Sequence, residues 1–173
     1  MPPLVLIPGR TFWHISVGTY GGRLHGADEP TVDLDHNERG TPFLPRDDDR
    51  YREENQSMRG DAVLLAAPQR AVIETLLPQI CERGGWGYFV AAAPAEPDND
   101  HFHILLHADS SVHGKQVREW MKRWLTQELD RRWSRPFGGA WWAKGGSTKP
   151  VKDEDYLRNC YAYIAKQRTL PMI

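Results

Sequence analysis

The amino-acid sequence predicts an α+β fold in which helices pack on an antiparallel sheet of about four to five strands. Three observations carry that expectation. Short aromatic and β-branched runs alternate with period two, and one long segment repeats apolar residues every three or four positions. The elements follow the order β-α-β-β-α-β-α without internal repeat. The chain of 173 residues is 40% hydrophobic, and its 7 Trp, 6 Tyr and 5 Phe supply ample core-forming surface. One globular domain over residues 1–173 is therefore expected, and intrinsic disorder is not.

Residues 11–20 read as the first strand, with Trp13, Ile15, Val17 and Thr19 on the better core face and Phe12, His14, Ser16 and Gly18 on the other. Residues 21–60 are polar, contain Pro30, Pro42, Pro45 and the run Asp47-Asp48-Asp49, and lack sustained periodicity. A long functional loop or insertion is expected there, with a short helical piece near residues 51–58. Pro68 suits an early helical position in a segment that runs to Arg83 and stops at Gly84-Gly85, and Pro78 should kink that helix or displace its start. Residues 86–93 and 101–108 are the next strands, joined by a turn over 95–100. Val117, Trp120, Met121, Trp124, Leu125 and Leu129 then give the strongest helix signal, and all six are expected in the core. Residues 141–144, 145–147 and 148–151 read as strand, turn and return strand. Acidic Asp153-Glu154-Asp155 opens a terminal helix to about Gln167, a placement that favours the helix dipole.

No apolar run approaches the roughly 20 residues of a bilayer-spanning helix, so no membrane association is expected. The opening Met-Pro-Pro-Leu-Val-Leu-Ile-Pro has no basic leader, which argues against a secretion signal. Cys81 and Cys160 make neither a disulfide framework nor a cysteine-type zinc site, and a reducing cytoplasm is the expected setting. The net charge of −1 conceals an asymmetry: residues 1–100 hold 9 Arg against 16 acidic residues, and residues 101–173 hold 13 Lys/Arg against 7. Lys115, Arg118, Lys122 and Arg123 share the polar side of the 117–129 helix, with Arg131, Arg132 and Arg135 just beyond. A polyanion senses such local basic surface within a Debye length of about 8–10 Å. Taken alone, such a cluster is more often a solvated helix face.

His101 and His103 are one residue apart in an apolar strand, so both imidazoles project from one face while Phe102 anchors the other. Same-face imidazoles can chelate one divalent cation, although a His-x-His pair taken alone more often edges a sheet. His107 has the same parity but lies farther along the strand. Tyr163 and Gln167 are four apart and share one side of the terminal helix, extended by Tyr156 and Cys160. Leu157, Tyr161 and Ile164 form the adjacent stripe suited to the core.

Joined, these halves are more specific than either. With His101-Phe102-His103 followed by Ile104-Leu105-Leu106, a basic amphipathic helix, and Tyr163-Ile164-Ala165-Lys166-Gln167, the sequence resembles the IS200-like single-tyrosine transposases of the HUH endonuclease superfamily, which include the REP-associated tyrosine transposases. Trp13-His14 through Thr19-Tyr20-Gly21, Gly40-Thr41-Pro42-Phe43 and residues 142–148 also look like segments of that family, so the resemblance spans nearly the whole chain from Thr11.

The resemblance implies a ferredoxin-like (RRM-like) sheet with a C-terminal tyrosine-bearing helix. It implies a nuclease and strand transferase for single-stranded DNA, as in DNA transposition. His101 and His103 would hold Mg²⁺ or Mn²⁺ with Gln167 as third ligand, and two imidazoles tilt that choice toward Mn²⁺. Tyr163 would be the nucleophile, forming a 5′-phosphotyrosine and releasing a 3′-hydroxyl. The partner would be single-stranded DNA with hairpin or repeat structure, contacted by Lys115, Arg118, Lys122, Arg123, Arg131 and Arg132, with Trp142 stacking on an unpaired base. Swapped dimers of the family add a homodimer to the implied partners, with Tyr163 meeting the histidines of its own chain or of a neighbour. Two other readings stay open. One is a non-catalytic or domesticated module that binds single-stranded nucleic acid. The other is a zinc hydrolase using His101, His103 and His107.

Overall fold

The computed structural model describes residues 3–22, 47–57, 61–136 and 139–172. In chain order the elements are β1 (Arg10–Gly18), α1 (Asp48–Ser57), α2 (Ala67–Gly84), β2 (Gly87–Ala92), β3 (His101–Asp109), α3 (Gly114–Asp130), β4 (Ser147–Val151) and α4 (Glu154–Ala165). The fold is α+β, with one four-stranded antiparallel sheet in the order β2-β3-β1-β4. Most of the expected 21–60 insertion lies outside the described residues; α1 occupies its helical piece, its first turn held by the Asp47 carboxylate, which accepts from the N–H groups of Asp49 and Arg50.

Local chemistry sets the other boundaries. α2 begins with Pro68 in its first turn and ends on Gly85, whose φ of 69° is open to a residue without Cβ. It runs through Pro78, whose ring removes one backbone donor without displacing the start. His113 caps α3 by accepting from Lys115 N at 3.1 Å, and Asp153 caps α4 by accepting from Tyr156 N at 2.7 Å.

Strand alternation then splits the interior in two. Trp13, Ile15 and Val17 of β1 with Phe102, Ile104 and Leu106 of β3 pack beneath α2 and α3, meeting Ile73, Leu77, Val117, Met121, Leu125 and Leu129. On the other side Phe12, Val90, Leu105 and Val151 meet Leu157, Cys160, Tyr161 and Ile164 of α4. The sheet is thus a middle layer, with α2 and α3 on one side and α4 on the other. No helix among the described residues is long and apolar enough to cross a membrane.

Two expectations about tryptophans are corrected. Residues 141–144 form no strand; Trp142 makes only an isolated bridge to Thr19. Freed from strand alternation, both indoles turn inward, Trp141 donating to Asp130 Oδ1 at 2.9 Å and Trp142 to Thr126 Oγ1 at 3.1 Å. Trp120 is 41% exposed rather than core, because the buried stripe of α3 follows the four-residue spacing Val117, Met121, Leu125, Leu129 and leaves Trp120 on its flank. There it packs against Trp124, which stacks in turn on Trp86.

Candidate active site

The register of the central strands places His103 opposite Ser16 and His101 opposite Gly18. Directly opposed residues of an antiparallel pair share a face. Both imidazoles therefore lie on the α4 side of the sheet, where Gly18 sets no side chain against His101. On that side α4 ends at Ala165, but the turn continues through Lys166 N to Ala162 O and Gln167 N to Ile164 O. This continuation preserves the four-residue relation between Tyr163 and Gln167 past the helix end.

Two pairs of residues, 60 or more positions apart in sequence, thereby converge. The rings of His101 and His103 meet edge to face at 4.6 Å, and those of His103 and Tyr163 at 5.6 Å. His103 Nε2 lies 2.6 Å from Gln167 Oε1. The surroundings differ sharply across this group. His103 is 4% exposed, whereas Tyr163 is 51% exposed. Tyr161, two residues earlier, is buried in the core beneath α4.

Neighbours not singled out in the sequence hold this group. Asp100 Oδ1 lies 2.8 Å from His101 Nδ1, and both side chains are largely buried. A carboxylate in that position fixes the orientation and tautomer of an imidazole. Asp100 is itself anchored, its carbonyl accepting from Thr19 N and Thr19 Oγ1 at 2.8 and 3.0 Å. Ser16 Oγ lies 3.5 Å from His103 Nδ1. The His14 ring lies 6.0 Å from that of His103 in a tilted arrangement, with Cys160 Sγ 3.5 Å from His14 Nδ1. Burial, and then the Lys149 ammonium opposite it on β4, push the His14 pKa down to about 4, so this imidazole is neutral at neutral pH. The signals available in sequence were adjacency for Asp100 and strand parity for His14 and Ser16.

The donor set suits a divalent cation: two imidazoles and an amide oxygen converge, with a carboxylate behind one imidazole. Among the described residues no three His, Cys, Asp or Glu side chains form a metal-type group; beside His103 the additional oxygen is that of the Gln167 amide. His107 is not part of the cluster. Arg10 Nε donates to its Nδ1 at 2.9 Å, and its ring packs against Phe12 and Phe89.

The expected DNA contacts divide. Arg118 is buried, and its guanidinium donates to Gly146 O at 2.7 Å and to Glu119. Lys122 Nζ donates to Ala143 O and Gly145 O at 2.9 and 3.2 Å, and burial lowers its pKa. These two long side chains turn back to satisfy carbonyls of the loop before β4, and Trp142 is buried. Lys115, Arg123, Arg131 and Arg132 are exposed, although Arg123 lies over the Trp120 ring and Arg131 and Arg132 both pair with Glu128. All four belong to α3 or its end, across the sheet from the histidines.

Comparison of the chain with protein families, with curated proteins and with solved structures finds no match.

Proposed function

We propose that this protein is a metal-dependent single-tyrosine endonuclease and transposase of the HUH type, which cleaves and transfers single-stranded DNA through a 5′-phosphotyrosine. The observation that carries the reading is that His103 contacts both Gln167 and Tyr163 while pairing with His101. The strand order β2-β3-β1-β4, with helical crossovers after β1 and β3, supports a ferredoxin-like sheet, and α4 is read as its tyrosine-bearing helix. The cell compartment that fits is the cytoplasm.

In this reading His101, His103 and Gln167 hold Mg²⁺ or Mn²⁺. When bound, that cation supplies positive charge to a non-bridging oxygen of the scissile phosphate. Asp100 keeps the His101 ring oriented, and the buried packing of His103 fixes the second donor. The phenol oxygen of Tyr163 attacks phosphorus and displaces the 3′-oxygen of the upstream nucleotide, which leaves as a hydroxyl carrying the proton lost by the phenol. One phosphodiester replaces another, so an incoming 3′-hydroxyl can reverse the step and rejoin DNA without a nucleotide cofactor. Tyr163 is half exposed, which leaves the residue open to a strand arriving from solvent.

The test is a pool of 3′-labelled single-stranded oligonucleotides carrying short hairpins with randomised flanks, incubated with Mn²⁺. The reading expects label retained on denatured protein, lost in Tyr163→Phe. Retention only under native conditions favours a binding module, and cleavage that survives Tyr163→Phe favours an activated-water hydrolase.

A further inference from the structure

Beyond α4 the chain does not trail away. Residues 168–170 cross the edge strand β2 and reach α2 on the far side of the sheet. Their anchor is Glu74, 1% exposed within α2. Its Oε1 accepts from Ala93 N at 3.0 Å and Thr169 N at 2.8 Å, and its Oε2 accepts from Leu170 N at 2.8 Å. Thr169 Oγ1 lies 2.9 Å from both Glu74 Oε1 and Ala93 O. Arg168 completes the joint, donating to Ala91 O at 2.8 Å and Tyr88 Oη at 3.0 Å, with its guanidinium 4.0 Å from Glu74 Oε2. A buried carboxylate is tolerated only when its acceptor sites are filled, and here the segment following Gln167 fills most of them.

We propose that Glu74 is a positioning residue for the candidate metal site: by fastening residues 168–170 it holds Gln167, and with it Tyr163, against the histidine pair of the same chain. The inference rests on reading His101, His103 and Gln167 as metal ligands. Gln167 is the ligand nearest the joint and the only one outside a strand, so its placement depends on what holds the chain immediately after it. Glu74 touches neither metal nor DNA; it acts through the backbone of residues 168–170. The site is then complete within one chain.

Glu74→Gln replaces one acceptor oxygen with an NH₂ that faces backbone N–H groups, and Thr169→Val is a milder second variant that removes one hydroxyl. Both are assayed for Mn²⁺ affinity by calorimetry and for tryptic cleavage after Lys166 and Arg168, with circular dichroism to check folding. Glu74→Gln should weaken Mn²⁺ binding on the order of tenfold and Thr169→Val less, with faster tryptic release of the tail. In a Gln167→Ala background the same variants should cost no further Mn²⁺ affinity. The proposal is overturned if both variants leave affinity and cleavage unchanged while Gln167→Ala weakens binding, or if they weaken binding equally in the Gln167→Ala background. Wild-type protein that binds no Mn²⁺ overturns the metal-site reading itself, and the positioning role with it. Mixing His103→Ala chains with Tyr163→Phe chains should regain no DNA adduct; regained adduct would show exchange between chains and contradict the one-chain site.

Discussion

On β3, Phe102, Ile104 and Leu106 point beneath α2 and α3 and are fully buried, whereas His101 and His103 point to the opposite face among polar neighbours. The same nine-residue strand builds both surfaces. One face is sealed by two helices around a largely apolar cluster. The other is shared: Phe12, Leu105 and Val151 seat Leu157 and Ile164 of α4, while the end of the strand beside Gly18 presents imidazoles, an amide and a phenol. Period-two alternation therefore separates the main apolar core from the polar cluster across the thickness of one sheet, and α4 borders both that cluster and the second apolar group.

The largest effect that tests this division is Tyr163→Phe. It should lower adduct formation on single-stranded DNA by more than about 10³-fold, while changing stability by less than about 0.5 kcal/mol, as for other exposed sites. A large loss of stability in urea denaturation would show that the phenol is a packing residue. Phe102→Ala, on the opposite face, should cost about 3–5 kcal/mol in the same denaturation experiment. A cost below about 1 kcal/mol would mean that the α2/α3 face is not the main core.

His14 sharpens the comparison through pH. Its folded pKa is about 4 against an ordinary 6.5, so between those values the unfolded chain binds a proton that the folded chain refuses. Stability should rise as pH goes from 4 to 6.5, by on the order of 1–3 kcal/mol from this group, and level off above. Lys149 from β4, His103 from β3 and Cys160 from α4 face it, and none removes the burial that sets the direction. Denaturation in EDTA across that range checks the slope, which His14→Gln should flatten. A slope unchanged by His14→Gln assigns the dependence elsewhere.

The smallest effect concerns α3. Arg118→Ala should destabilise the fold by about 1–3 kcal/mol through the lost bond to Gly146 O, and it should leave the salt dependence of DNA binding unchanged. Arg123→Ala should do the reverse, lowering the salt slope by about one if α3 contacts phosphates and leaving it flat if DNA binds only on the α4 side.

Strand alternation in residues 11–18 and 101–108, the four-residue spacing of Tyr163 and Gln167, and the stripe of α3 were legible because each is a local period with one geometric meaning. What escaped was whatever depends on the facing partner. Arg118 and Lys122 read as surface because helical period gives an angle but not the loop carbonyls that wait at it. Trp141 and Trp142 misled because two adjacent buried indoles require irregular backbone. Glu74 is silent in sequence, since its meaning lies 95 residues away at Thr169. The meeting of His103 with Tyr163 was suggested only by joining two motifs that are individually weak.

The most direct test of the account is to map the residue that carries DNA. After reaction with the oligonucleotide pool and Mn²⁺, nuclease and trypsin digestion followed by mass spectrometry should find a nucleotide remnant on the peptide ending at Lys166, attached to Tyr163. A remnant on Tyr161 or Tyr156, or cleaved DNA with no modified tyrosine, would contradict it.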